Sequence, residues 1–115
     1  MVRACQITFA DAISHNLYAM ILATNSVTQL PQRTDLGAVI FPSVVSELTF
    51  LLPISEAGNS GQNCAIQDVT GAEINEVITG IPFTISDSVN SIDLQAILVQ
   101  ATASGVILDV SINAK

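Results

Sequence analysis

From residue 106 to residue 113 the chain alternates without a break. Val106, Leu108, Val110 and Ile112 fall on one side of an extended backbone, and Asp109, Ser111 and Asn113 fall on the other. A period of two is that of a β-strand with one buried and one solvated face. Similar short runs recur upstream, with turn residues between them. Leu48, Phe50, Leu52 and Ile54 share one face of an extended segment, and Pro53, lacking an N–H, makes that strand an edge or ends it. Residues 55–63, with Gly58 and Gly61, read as a loop. Residues 64–68 and 72–78 flank Asp68-Val69-Thr70-Gly71, a hairpin turn with glycine last. Residues 81–85 form a short extended piece and residues 87–91 a turn. Residues 92–99 begin by alternating and end apolar on both sides. With Ala103-Ser104-Gly105 as the turn, they are expected to form a hairpin with the last strand.

The first third is less regular. Residues 6–9 suggest a strand. Asp11 is placed to cap a helix over 12–23, since Ile13, Leu17, Met20 and Ile21 recur at helical spacing. Residues 17–22 read equally as a strand, and the β-rich context favours the strand. Residues 24–34, with Pro31, form a loop, and residues 39–41 before Pro42 another strand. Seven or eight short strands at close spacing, with at most one short N-terminal helix, predict an all-β, single-domain antiparallel sandwich or barrel over residues 1–115. A chain of 115 residues buries enough surface to hold one core without metals or a disulfide framework.

Composition decides what covers this core. Half of the residues are hydrophobic but only 4% are aromatic, so the interior is built from Val, Ile, Leu and Ala. Charged residues make up 11%, against roughly 25% in an ordinary soluble domain. Ser, Thr, Asn and Gln supply 34 of the 115 residues, and the single lysine is Lys115. A surface poor in charge resembles the buried centre of a protein–protein interface. A net charge of −7 with two arginines and one lysine makes no basic stripe for nucleic acid, and an anionic membrane surface would repel it. No apolar run reaches the roughly 18–20 residues of a membrane span. Arg3 and the polar residues after it do not make a signal peptide, so synthesis and use in the cytoplasm are expected. Cys5 and Cys64, with no CxxC or CxxH spacing, are expected to be reduced thiols; in an exported chain, 5–64 is the one intrachain bridge they allow.

Catalytic, cofactor and metal motifs are not found. His15 stands alone, with no second histidine and no nucleophile motif nearby in sequence. Asp68, Glu73 and Glu76 approach one another across a hairpin but offer too few oxygens for calcium, and read as solvated turn charges. Glu47 and Glu56 bracket a strand and read the same way. Gly58, Gly61, Gly71, Gly80 and Gly105 form neither GxGxxG nor a P-loop. No tryptophan is present, and Phe9, Phe41, Phe50 and Phe83 sit in apolar strands, which weakens a sugar-binding reading.

Several segments together resemble a known type. Residues 36–43, Leu-Gly-Ala-Val-Ile-Phe-Pro-Ser, are followed by Leu48-Thr49-Phe50 and then by residues 66–74, Ile-Gln-Asp-Val-Thr-Gly-Ala-Glu-Ile. This succession is similar to that of small bacteriophage virion structural proteins, in which a hydrophobic–Pro–Ser strand end precedes an LTFxxS strand and a DxxGxE hairpin. The likeness spans residues 36–112. It departs at 97–105, where Val99-Gln100-Ala101-Thr102-Ala103 replaces a polar segment. The resemblance implies a jelly-roll-like β-sandwich in a virion, most simply a head decoration (cement) protein, with a carbohydrate- or receptor-binding module of a tail fibre or spike as the alternative. It implies no enzyme activity and no cofactor. It further implies self-association, as a homotrimer, and contact with a major capsid protein or other virion proteins, after synthesis in the host cytoplasm. Residues 1–24 are expected to act as a docking arm or as the first strands, and Leu17, Tyr18, Met20, Ile21 and Leu22 are the expected interface residues, because they exceed what a small core needs.

Overall fold

A computed structural model describes residues 2–27, 45–87 and 89–114. Among these residues eight strands and one α-helix follow in order: β1 (Val2–Thr8), β2 (His15–Asn16), α1 (Leu17–Val27), β3 (Val45–Leu51), β4 (Asn63–Gln67), β5 (Glu73–Ile78), β6 (Phe83–Ser86), β7 (Leu98–Ala101) and β8 (Ile107–Ala114). They form two antiparallel four-stranded sheets, in the orders β1-β8-β3-β6 and β2-β7-β4-β5. Four of the pairs, β1 with β8, β2 with β7, β3 with β6 and β4 with β5, join strands equally far from the two ends of the series. One long four-rung hairpin has thus been rolled up, with β8 also on β3 and β7 on β4. This is the topology of a jelly roll. The expectation of an all-β sandwich of that kind holds.

The alternating segments bury the faces they were expected to bury. Val106, Leu108, Val110 and Ile112 are fully covered, as are Leu48, Phe50 and Leu52, and they meet Cys64, Ile66, Val77 and Val99 from the other sheet. Of the phenylalanines, Phe9 and Phe50 fill the core and Phe83 is half-buried, while Phe41 lies outside the described residues. The strand expected at 39–41 and most of the loop at 24–34 also lie outside them.

Four expectations are corrected. Residues 17–22 are helix, not strand, and the helix runs on through residues 24–27 of the expected loop. Asn16 caps that helix by accepting the Ala19 N–H at 3.1 Å, and Leu17 and Ile21, one turn apart, insert into the core. Asp11 is instead used within its own turn, on the Ile13 N–H and His15. Residues 92–99 are not one strand. Ile92 makes a single bridge to Val45, Leu94–Ala96 is a 3-10 turn capped by Asp93, and pairing begins only at Leu98. The last two strands are not a hairpin, because β7 and β8 belong to different sheets and residues 102–106 cross between them. That crossing is tied to the end of β1, where the Gly105 N–H donates to Phe9 O and the Phe9 N–H donates to Val106 O. Gly105 holds φ +87°, and its carbonyl comes so near Gly58 that a Cβ there would lie 2.3 Å from the oxygen. Finally, Ile54 does not join the face of Leu48, Phe50 and Leu52. The strand ends at Leu51 ahead of Pro53, and Ile54 turns outward.

One buried polar residue stabilises this end of the sandwich. The Asn59 side chain is fully enclosed and donates to Pro53 O and Ile107 O, while its own oxygen accepts the Ile107 N–H at 2.8 Å. Its backbone oxygen accepts the Thr79 hydroxyl. The loop between β3 and β4 is thereby joined to β8 and to the β5–β6 turn, with no donor or acceptor of the Asn59 amide left unmet.

Candidate functional site

The sandwich has two flanks where the edges of its sheets face each other. At the first, α1 packs against β1, β2 and the Leu94–Ala96 turn, so the helix covers the opening between the edge strands β1 and β2. Leu17 and Ile21 are spent on the chain's own core, Tyr18 and Met20 pack against it half-buried, and Leu22 is likewise half-buried. Of the five side chains expected at an interface, Leu17 and Ile21 therefore do not reach the surface, and Tyr18, Met20 and Leu22 reach it in part.

At the opposite flank lie β5 and β6. The turn joining them carries Ile78 and Ile81, 52% and 60% exposed, and the Ile81 N–H closes the turn on Ile78 O. Ile54, 78% exposed, reaches across from the end of β3 and lies directly over Gly80, whose missing Cβ leaves room for it. Three large aliphatic side chains thus stand exposed around this turn. Beside them Phe83 and Ile85 of β6 are only half-buried, and Phe83 stacks on Phe50 with ring centres 6.3 Å apart. Val69 and Ile74 are exposed at the other end of the β4–β5 hairpin.

The outer face of the second sheet is of a different kind. Ala65 sits between Gln100 on β7 and Glu76 on β5, and this small residue floors a shallow groove of about 330 Å³ that Gln67, Glu73 and Thr102 also line. Gln67, 7% exposed, donates to Gln100 Oε1 and accepts the Ser14 hydroxyl at 2.6 Å, and Gln100 donates to Ala12 O. Asn63 donates to Glu76 at 2.6 Å, and Thr102 donates to Gln62. The groove therefore presents a fixed array of amide, hydroxyl and carboxylate groups. The sequence singled out Glu73 and Glu76 but not Gln67, Gln100 and Ser14, which come together from three distant segments.

The described titratable groups are dispersed. His15 Nε2 lies 2.6 Å from Asp11 Oδ1, the one ion pair among the described residues, and this hydrogen bond holds the Asp11 carboxyl below its ordinary value. The Asp68 carboxylate accepts from the Thr70 hydroxyl and from the N–H groups of Thr70 and Ala72, which lowers it likewise. Cys5 and Cys64 are free, buried thiols. Desolvation pushes both up to about 12, helped at Cys5 by the Asp109 charge, so neither is a nucleophile at neutral pH. Among the described residues no three metal-ligating side chains converge, and no described helix is long and apolar enough to cross a membrane.

The chain matches no known protein family, and no curated relative is found by sequence. The likeness to small phage virion proteins rests on the sequence motifs alone, and its first motif, residues 36–43, lies outside the described residues.

Proposed function

We propose that this protein is a non-enzymatic structural protein of a virion, a capsid decoration protein that stabilises a phage head through subunit–subunit contacts. The observation that carries the proposal is the exposed corner of Ile54, Ile78 and Ile81 on a chain in which only 11% of residues are charged. Contiguous exposed aliphatic groups on a small protein mark a surface that another protein covers. Burying each exposed side chain contributes about 1.5–3 kcal/mol, so one corner used by many copies adds up to a considerable resistance to internal pressure. Self-association belongs to this reading, and the family resemblance implies three copies.

The test is addition of purified protein to heads of the phage whose genome encodes it. Saturable binding at a stoichiometry set by head symmetry, with a higher disruption temperature, is the expected result. The Ile54→Ser, Ile81→Ser double variant should bind weakly while remaining folded. No binding to any head or tail surface overturns the proposal.

The groove favours a second reading, a glycan- or receptor-binding module of a tail fibre or spike. Glu73, Glu76, Gln100 and Thr102 offer the hydrogen-bonding groups that a polyhydroxylated ligand takes up. A glycan array separates the two readings: specific binding that Glu76→Gln and Gln100→Ala abolish supports the module, and silence supports the structural role.

A further inference from the structure

We infer that two copies of this chain join edge to edge through β6, so that the first sheet runs continuously across a two-fold axis. Among the described residues the sandwich has four edge strands, and three of them are protected. β1 and β2 lie against α1. β5 carries Glu73 and Glu76 and is bulged opposite Ile66 and Gln67, two features that discourage pairing. A symmetric β5–β5 contact would line up four carboxylates along one seam, in a chain that already carries −7. β6, Phe83-Thr84-Ile85-Ser86, has no charge and keeps an unbroken register with β3.

The register fixes which backbone groups of β6 are available. The Asp87 N–H donates to Ser46 O at 2.8 Å. In an antiparallel ladder the bonded residues then alternate, so Ile85 and Phe83 exchange bonds with Leu48 and Phe50, while Thr84 and Ser86 direct their N–H and C=O groups away from the sheet. The short contact between the Thr49 and Thr84 hydroxyls, 3.0 Å, fits a non-hydrogen-bonded pair at that rung. Two outward-facing residues with one between them make a self-complementary edge. With the axis at Ile85, Thr84 of each copy meets Ser86 of the other and four N–H···O bonds form. Ile85 then lies opposite its own counterpart, and the half-buried Ile85 and Phe83 gain the cover they lack. No charged side chain faces another of like sign: Asp87 lies opposite Phe83 of the other copy, outside the bonded rungs, and its carboxylate is engaged by the Val89 and Asn90 N–H groups. Pro82, which has no N–H to donate, weakens the edge on the other side and favours pairing centred on Ile85.

The experiment is sedimentation velocity or light scattering of the full chain over a wide concentration range, with two variants. Twice the 12.0 kDa monomer mass is expected, in place of the three copies that the resemblance implies. Thr84→Pro removes an N–H that the ladder with β3 does not use. It should weaken association by at least about tenfold while leaving the circular dichroism spectrum unchanged. Ile85→Cys should crosslink with its counterpart in mild oxidant, because opposed residues at a non-hydrogen-bonded rung bring their Cβ atoms to about 4.5–5.5 Å; Cys5 and Cys64, both buried, do not compete. A monomer at up to about 1 mM overturns the inference. So does any oligomer, a trimer included, that Thr84→Pro leaves intact and Ile85→Cys does not crosslink. Head binding is measured separately, so a lost dimer with retained head binding sinks this contact alone.

Discussion

The two flanks of the sandwich solve the same problem differently. Each is a gap between the edge of one sheet and the edge of the other. At the β1/β2 flank the chain covers its own gap: α1 follows β2 directly, and Leu17 and Ile21 complete the core there. At the β5/β6 flank the connection is a tight turn, residues 79–82, too short to cover anything. Phe83 and Ile85 stay half-exposed and Ile54, Ile78 and Ile81 cluster in the open. Ile13, Val69, Ile74 and Val89 are exposed singly or in pairs elsewhere, but the gap between two sheet edges is left to exposed aliphatic side chains at one flank alone. One flank is finished in the monomer and the other is finished by something else. Substitutions should therefore have opposite signatures at the two flanks, costing stability at the first and association at the second.

The largest stability effect is expected at the closed flank. Leu17→Ala removes a fully buried side chain where helix and both sheets meet, and should destabilise the fold by about 2–5 kcal/mol in urea denaturation. Ile81→Ser at the open flank should change stability by no more than about 0.5 kcal/mol while lowering the tendency to associate. Equal losses from the two would erase the distinction between the flanks.

Next in size is the joint between the open flank and the core. Asn59→Ala takes a partner from both backbone groups of Ile107, while Pro53 O keeps the Glu56 N–H, and should cost roughly 1–3 kcal/mol, the penalty of a group left buried and unpaired. Because the Asn59 carbonyl also receives the Thr79 hydroxyl beside Gly80, the isoleucine corner should loosen in the same variant, seen as faster amide exchange over residues 78–81. Full stability of the variant would mean that water replaces the amide there.

How much of this was legible in the sequence depends on range. The strand at 106–113 was plain because its alternation is complete and both of its faces have a fixed environment. A sandwich or barrel followed from the number and spacing of such strands, whereas the jelly-roll form came only from the resemblance. Helix α1 was misread because Leu17, Met20, Ile21 and Leu22 are compatible with both periods, and the residue that decides, the cap Asn16, stood in the shadow of Asp11. A hairpin between the last two strands was the natural inference from a short loop, yet periodicity says which face is buried and nothing about which strand is the neighbour. The Gln67–Gln100–Ser14 cluster was invisible for the same reason: its members are 33 to 86 residues apart, and only the roll brings them together.

Thiol reactivity sharpens the comparison without altering the fold much. Cys5 lies on β1, under the closed flank, and Cys64 at the centre of the second sheet. With both thiols pushed up to about 12, neither should react with a disulfide reagent at neutral pH in the native protein, and both should react in denaturant. In Leu17→Ala, Cys5 should become reactive before Cys64 as urea is raised. Simultaneous exposure would show that the closed flank opens only with global unfolding.

The smallest effect is the dependence on acid. Asp11 lies in the β1–β2 connection beside the closed flank, and Asp68 in the β4–β5 turn. His15 lowers the first, and the Thr70 hydroxyl followed by the Thr70 N–H lowers the second. A carboxyl lowered in the folded state binds its proton more readily when unfolded. Its contribution is therefore fully present above the unfolded value, near 3.8, and is lost as pH falls through the folded one. The urea midpoint should thus decline on acidification below about pH 4. Asp68→Asn and Asp11→Asn should each lower the midpoint at neutral pH and flatten that decline, because the group responsible for part of it is gone. Both carboxylates are exposed, so the changes are small, but they differ in place. Asp11→Asn should raise amide exchange around His15 and the start of α1, and Asp68→Asn only within its own turn. A decline equally steep in both variants would assign the acid response to other carboxylates and remove Asp11 from the account of how the closed flank is held.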